Sequence, residues 1–97
     1  MPIIYKRSIK ATYFNHGFFN VEMDYDRYVR LEEGPIDLVL LKDRGRCIKG
    51  RLDRKSNNNG AARIHGGNEL LKYFQMHYKV GDDVDMDLTS EKQIVIG

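Results

Sequence analysis

Residues 68–88 of the chain read NELLKYFQMHYKVGDDVDMDL, and this stretch decides the fold. Its first half carries apolar residues at helical spacing, namely Leu70, Leu71, Phe74 and Tyr78. Because residues three and four apart share one face of a helix, the spacing predicts a helix over residues 69–78. Asn68 is the predicted N-cap, since its short side chain can accept a bond from a free backbone N–H. The sequence therefore predicts one helix packed by its apolar face onto a core.

The second half of the stretch changes from helical spacing to strict alternation. Residues 80–82, Val-Gly-Asp, predict a turn, because glycine tolerates backbone conformations that other residues avoid. Val84, Met86 and Leu88 then alternate with acidic residues, which is typical of a strand with one buried and one solvated face. Residues 94–96 predict a closing strand.

More short strands are predicted on the N-terminal side of this stretch. They cover residues 3–14, 18–23, 36–41, 46–52 and 61–64. Asn15-His16-Gly17 predicts a turn that makes the first two strands a hairpin or a bent pair, and residues 42–45 predict a second hairpin turn with Gly45 at positive φ. Residues 24–33 fit a short helix or an irregular strand. The fold class expected is mainly β with one or two short helices, in a small antiparallel open barrel.

Length and composition limit the class of protein. The 97 residues predict a single domain, residues 1–97. The one cysteine, Cys47, allows no intramolecular disulfide, which fits a reducing compartment. No apolar run approaches the roughly 18 residues that a membrane span needs. We therefore expect a cytoplasmic protein with no membrane partner.

The residues that carry catalysis or bind metals are scattered. His16, His65 and His77 lack the paired spacing of zinc ligands. The acidic run at residues 82–87 alternates with apolar residues and predicts a solvated strand face. Glu91 is followed directly by Lys92, so the Glu-x-Lys pattern of nucleases is absent. We expect no metal, no cofactor and no catalytic residue, and so no enzyme activity from this domain alone.

The charge of the chain is concentrated in its middle. The whole sequence has a formal net charge of only +2, whereas residues 42–72 hold nine basic and three acidic side chains, a net of +6. Residues 73–97 hold two basic and five acidic side chains, a net of −3. If the central segment also clusters in space, it forms a patch that attracts polyanions.

The centre of that segment, residues 51–67, is rich in arginine and asparagine. Its polar candidates are Arg51, Arg54, Lys55, Ser56, Asn57, Asn58, Asn59 and Arg63. Arginine and lysine neutralise phosphates, and arginine pairs bidentately with guanine as asparagine does with adenine. The run Asn57-Asn58-Asn59-Gly60 has little reason to fold on itself. The segment is either a nucleic-acid contact or a solvated hairpin loop.

Residues 68–74, Asn-Glu-Leu-Leu-Lys-Tyr-Phe, and residues 78–84, Tyr-Lys-Val-Gly-Asp-Asp-Val, carry a family resemblance. Together they resemble the helix, Gly-Asp turn and core strand of the DNA-binding pseudobarrel. That fold occurs in plant transcription-factor domains and in recognition domains of type II restriction endonucleases such as EcoRII and BfiI. The plant domains usually carry a Trp near the helix start; this chain has no Trp, which favours the restriction-enzyme branch.

The resemblance implies a function and a set of site residues. Such domains grip the major groove of double-stranded DNA with two arms, which here correspond to residues 50–64 and residues 10–18. The implied base readers are Arg51, Arg54, Asn57, Asn58, Asn59 and Arg63, with Thr12, Asn15 and His16. The implied phosphate contacts are Lys10, Lys49 and Lys55. A nuclease domain on the same or another chain is the implied protein partner.

Two other functions fit the sequence. The aromatic residues Tyr13, Phe14, Phe18 and Phe19 would suit a small barrel that binds single-stranded DNA or RNA by stacking. The chain could also be a protein-interaction domain, with its basic loop merely solvated.

Overall fold

A computed structural model describes residues 3–97 as one seven-stranded sheet, curled into a half-barrel, with two α-helices. The elements in chain order are β1 Ile3–Ser8, α1 Ala11–His16, β2 Phe18–Asn20, a 3-10 helix Met23–Tyr28, β3 Gly34–Leu40, a 3-10 turn Leu41–Asp43, β4 Arg46–Asp53, β5 Arg63–His65, α2 Gly67–His77, β6 Asp83–Ser90 and β7 Gln93–Ile96. The expected class, mainly β with short helices, is confirmed.

The strands lie in the order β1-β6-β7-β3-β4-β5-β2. Neighbouring strands are antiparallel except β3 and β7, which run parallel from Asp37 beside Gln93 to Leu40 beside Ile96. The expectation of an antiparallel barrel is therefore wrong at this one pairing, and the sheet is mixed. A strand of four residues carries no sequence signal for its direction, because its apolar face fits either orientation.

The core lies on the concave side of the sheet. Val84, Met86 and Leu88 of β6 are at most 2% exposed, as their alternation predicts. The buried side chains of α2, Leu70, Tyr73 and Phe74, pack into the same core. The helix predicted for residues 69–78 is thus confirmed within two residues, and so is the turn before β6.

The start of α2 differs from the prediction. The helix begins at Gly67, the preceding cap position is Gly66, and no side chain caps it, so Asn68 lies inside the first turn. The N–H of Gly66 donates instead to the carbonyl of Gly17 at 2.9 Å. This backbone bond fixes the entry to α2 from the neighbouring segment.

The N-terminal hairpin is the main error of the sequence prediction. The strand predicted for residues 3–14 ends at Ser8, and residues 11–16 form α1. Tyr13, 1% exposed, is the residue of α1 that is buried in the core, and Ile9, also 1% exposed, is buried just before the helix begins. Gly17 ends the helix in the left-handed conformation at φ +72°, and its N–H donates to the carbonyl of Tyr13. Because β1 and β2 lie at opposite ends of the strand order, they form no hairpin.

Residues 24–33, which the sequence left open, begin with a 3-10 helix, and the second predicted hairpin is present. The 3-10 helix Met23–Tyr28 occupies the first part of the ambiguous segment. β3 and β4 form the predicted hairpin, with Gly45 at φ +67°. No helix among residues 3–97 is long and apolar enough to cross a membrane.

Candidate nucleic-acid interface

The convex face of β4, β5 and β2 collects basic side chains. Strand pairing places Arg51 opposite His65, and His65 opposite Phe18. Their neighbours Leu52, Ile64 and Phe19 are all 0% exposed and point into the core. Side chains alternate along a strand, so those of Arg51, His65 and Phe18 point outward. The residues two positions along each strand point the same way. We call this surface the basic face; it is formed by Lys49, Arg51, Arg63, His65 and Phe18, with the carboxylate of Asp53 opposite Arg63 in the strand pairing.

Arg63 is held in one orientation at the centre of the basic face. Its Cζ lies 4.4 Å from the centre of the Phe18 ring, a cation–π contact. Its Nε donates to Asn20 Oδ1 at 3.0 Å and its Nη2 to Asn57 Oδ1 at 3.1 Å. The acceptors of these bonds are neutral amides, and the carboxylate opposite Arg63 on β4, that of Asp53, accepts from Ser56, Lys55 and His65.

The asparagine run folds on itself, contrary to the sequence prediction. We call residues 54–60 the Asn loop. Asn57 Nδ2 donates to Asn20 Oδ1 and to the carbonyl of Ala61, each at 3.0 Å. Asn59 Oδ1 accepts from the N–H of Ala61 at 3.0 Å. Asn side chains readily bond to nearby backbone groups, and here they replace the missing apolar contacts. Asn58 is exposed, and no residue in the range 3–97 bonds to its side chain.

Asp53 anchors the beginning of the Asn loop. Asp53 is buried, and its carboxylate accepts from the Ser56 hydroxyl, from the Lys55 N–H at 2.7 Å and from His65 Nε2 at 3.3 Å. The Ser56 bond, followed by the Lys55 bond, holds the Asp53 pKa below its usual value. The Ser56 hydroxyl donates to the carboxylate and not to the imidazole. Ser56, Asp53 and His65 thus lack the hydroxyl-to-base bond of a catalytic triad.

The lowered pKa of Asp53 predicts an acid-sensitive loop. A carboxyl group whose pKa is lower in the folded chain stabilises the fold above its unfolded pKa, about 3.9. This stabilisation is lost as the pH falls below that value toward the lower folded pKa. We expect the melting temperature to drop between pH 5 and pH 2, and less so in Asp53→Asn. Equal decreases in the two proteins would contradict the role of Asp53.

Arg54 turns away from the surface on which the sequence prediction placed it. Its guanidinium donates to Asp26 Oδ2 at 2.7 Å, to the carbonyls of Leu31 and Arg30 at 2.9 and 2.5 Å, and to that of Gly60 at 3.2 Å. The side chain is only 16% exposed. Arg54 therefore ties the Asn loop to residues 26–31, and its donors are occupied within the protein.

The predicted first arm, residues 10–18, is not a loop. Its central part is α1, which packs against α2. His16 at the end of α1 lies 6.3 Å from the Phe18 ring, between ring centres, and so borders the basic face. Lys10 Nζ lies 6.0 Å from the centre of the Tyr13 ring, whereas Thr12 and Asn15 are simply exposed on α1.

The remaining predicted residues lie on the surface around the loop. Lys55 is 88% exposed and 3.7 Å from Glu33. Lys49 is 77% exposed and pairs with Asp37 at 2.5 Å. Both ammonium groups are accessible, and exposed ion pairs of this kind contribute little stability. The side chains can exchange these partners for phosphates at low cost.

A groove that sequence reasoning missed runs beside the Asn loop. Its volume is about 430 Å³, and residues 57–59 form one wall while residues 20–23 and Arg7 form the other. Arg7 Nη1 pairs with Glu22 Oε1 at 3.2 Å, and its Nη2 donates to the Tyr13 hydroxyl at 2.5 Å. No local pattern signals this groove, because it depends on the pairing of β2 with β5 rather than with β1.

Other chemistry has little support from the geometry. Within residues 3–97, no group of three His, Cys, Asp or Glu side chains is arranged to hold a metal ion.

No model of a known protein family matches this chain, and no curated protein matches it either. A function must therefore be inferred from the basic face, the Asn loop and the groove.

Proposed function

We propose that this chain is a sequence-specific module for double-stranded DNA, which it contacts with the basic face and the Asn loop. The observation that carries the proposal is the outward row of Arg51, His65 and Phe18, with Arg63 fixed beside it. Arg51 is exposed, and no acidic partner contacts it in residues 3–97. Cations without protein partners are the groups that release counterions from DNA.

The charge distribution over the sheet supports a polyanion. The acidic strand β6 is separated from β4 by β7 and β3. Asp85 and Asp83 on β6 pair with Lys6 and Ser8 of β1, whereas the carboxylates beside the basic face, Asp37, Glu33 and Asp53, each pair with a basic side chain there. A small net charge therefore conceals a polarised surface, which orients a polyanion toward the basic face.

The shape of the site favours duplex DNA over single strands. Tyr13 and Phe19 are buried in the core, and Phe14 packs against it. Phe18 lies on the basic face, but the Arg63 guanidinium covers its ring. The aromatic cluster is therefore a poor platform for stacked bases, whereas the exposed amide of Asn58 in the Asn loop can bond to a base edge in the major groove of a duplex.

The proposed place of this module is the specificity part of a restriction endonuclease. It would bind and orient DNA, with phosphodiester cleavage left to a nuclease domain on the same or another chain.

Removing cations of the basic face should weaken duplex binding. We expect Arg51→Ala and Arg63→Ala each to weaken it roughly tenfold and to reduce the slope of log K against log salt by about 0.9 for each phosphate that is no longer neutralised. Lys92→Ala, an exposed lysine in the turn before β7, is the matched control and should leave both quantities unchanged. Fluorescence anisotropy with a random-sequence duplex over a salt series measures them.

Two outcomes of the same assay would favour the other functions. A tighter complex with the single strand than with the duplex, weakened by Phe18→Ala, would favour single-strand binding. Equal effects of Arg51→Ala and Lys92→Ala would show that the basic face is merely solvated.

A further inference from the structure

We infer that the groove beside the Asn loop reads the exocyclic amino group of one base, adenine N6 or cytosine N4, and that Glu22 is the acceptor. The inference rests on the proposed function and adds a specificity determinant to it. Glu22 lies outside the segment that composition singled out, and it enters the site because the pairing of β2 with β5 brings residues 20–23 beside residues 57–59.

The position of Glu22 is fixed by its partner. Arg7 Nη1 holds Glu22 Oε1 at 3.2 Å, and Arg7 is itself held through Nη2 by the Tyr13 hydroxyl. The Arg7 side chain is only 14% exposed, whereas that of Glu22 is 40% exposed. No residue among 3–97 bonds to Glu22 Oε2. One carboxylate oxygen is thus a fixed, accessible acceptor in the groove wall.

A carboxylate beside a phosphate-binding surface needs a particular ligand. The carboxylate repels phosphate, so it adds nothing to sequence-independent affinity. In duplex DNA it can contribute to binding by accepting hydrogen bonds from N–H donors. In the major groove, adenine N6 and cytosine N4 are the donors, whereas guanine O6 and thymine O4 are acceptors that a carboxylate repels. The contact therefore selects A or C at one position and rejects G and T.

Both walls of the groove supply groups that complement such an edge. Asn58 is exposed with a free amide that can both donate and accept. Asn20 uses Oδ1 for Arg63 and Asn57, while no described residue bonds to its Nδ2. Met23 is 54% exposed and gives the groove an apolar border. Acceptor, donor and apolar surface together suit a base edge better than a phosphate.

Selection from randomised duplexes with three proteins tests the inference. The wild type should enrich a motif with A or C at one position. Glu22→Gln keeps an oxygen for Arg7 but gains an N–H pair, and we expect the preference at that position to fall roughly tenfold while the other positions stay unchanged. Glu32→Gln makes the same charge change at an exposed site and should leave the whole motif unchanged.

A second measurement uses the wild-type protein alone and is independent of how the variants fold. In the selected duplex, purine replaces adenine or 2-pyrimidinone replaces cytosine at that position, which removes only the amino group. We expect binding to weaken roughly tenfold. A selected motif that survives both Glu22→Gln and removal of the amino group overturns this inference but leaves the proposed function intact. A wild-type selection that enriches no sequence overturns both.

Discussion

Replacing Arg54 with alanine is expected to lower the free energy of unfolding by about 3 kcal/mol. The side chains of Arg54 and Asp26 are only 16% and 17% exposed, and their Nη1 to Oδ2 distance is 2.7 Å. Removal of the guanidinium leaves the Asp26 charge largely buried, and among residues 3–97 the Ala62 N–H alone still donates to its carboxylate. The carbonyls of Arg30 and Leu31 are also deprived of their donor. Chemical denaturation measures the difference.

Arg51 provides the matched control for Arg54. Both are arginines of the same short segment, but Arg51 is exposed on β4 and makes no ion pair with the described residues. Arg51→Ala should change the free energy of unfolding by less than about 0.5 kcal/mol and should weaken DNA binding. A stable Arg54→Ala protein with weakened DNA binding would reverse this assignment and restore Arg54 as a base reader.

The contrast between the two arginines shows what composition could not resolve. Arg51 and Arg54 carry the same charge in the same basic stretch, so they looked equivalent in sequence. The alternation of β4 sends Arg51 outward. The chain leaves the strand at Asp53, and Arg54 meets a long-range acidic partner at Asp26. A hydrogen bond that spans 28 positions has no local signature.

The parts of the fold that sequence patterns predicted were those with local periodicity. α2 shows helical spacing over eleven residues, and β6 alternates strictly, so both were found. α1 is six residues long and starts just after Ile9, so its pattern merges with that of β1. The direction of β7 and the pairing of β2 with β5 depend on contacts between distant segments, which a single sequence does not encode locally.

The candidate site followed the same division. Arg51, Arg63 and the asparagines were predicted as contacts because arginine and asparagine are enriched in one short stretch. Glu22, the acceptor inferred above, has no such signal, because it is one acidic residue in a neutral segment and the pairing of β2 with β5 brings it beside the Asn loop. The site is therefore assembled from one segment with a compositional signal and another without it.

Replacing Gly17 with alanine is expected to destabilise the protein by about 3 kcal/mol. Gly17 has φ +72°, where an L-residue costs about 1–2 kcal/mol. An added Cβ would also lie 2.3 Å from the carbonyl oxygen of Gly67 and 3.1 Å from Leu71 Cβ. The oxygen belongs to the backbone of α2, so relief requires the two helices to separate, at a cost of about 1–3 kcal/mol. The melting temperature should fall by roughly 15 °C.

Gly60 separates the two contributions at Gly17. It has φ +77°, and nothing lies within 4 Å of an added Cβ. Gly60→Ala should therefore cost about 1 kcal/mol, from backbone strain alone. If the two variants melt at the same temperature, the close approach of Gly17 to α2 contributes nothing.

Gly17 also precedes Phe18, so separating the two helices should displace the ring on which Arg63 lies and weaken DNA binding. Gly17→Ala should show this weaker binding even at temperatures where it remains folded.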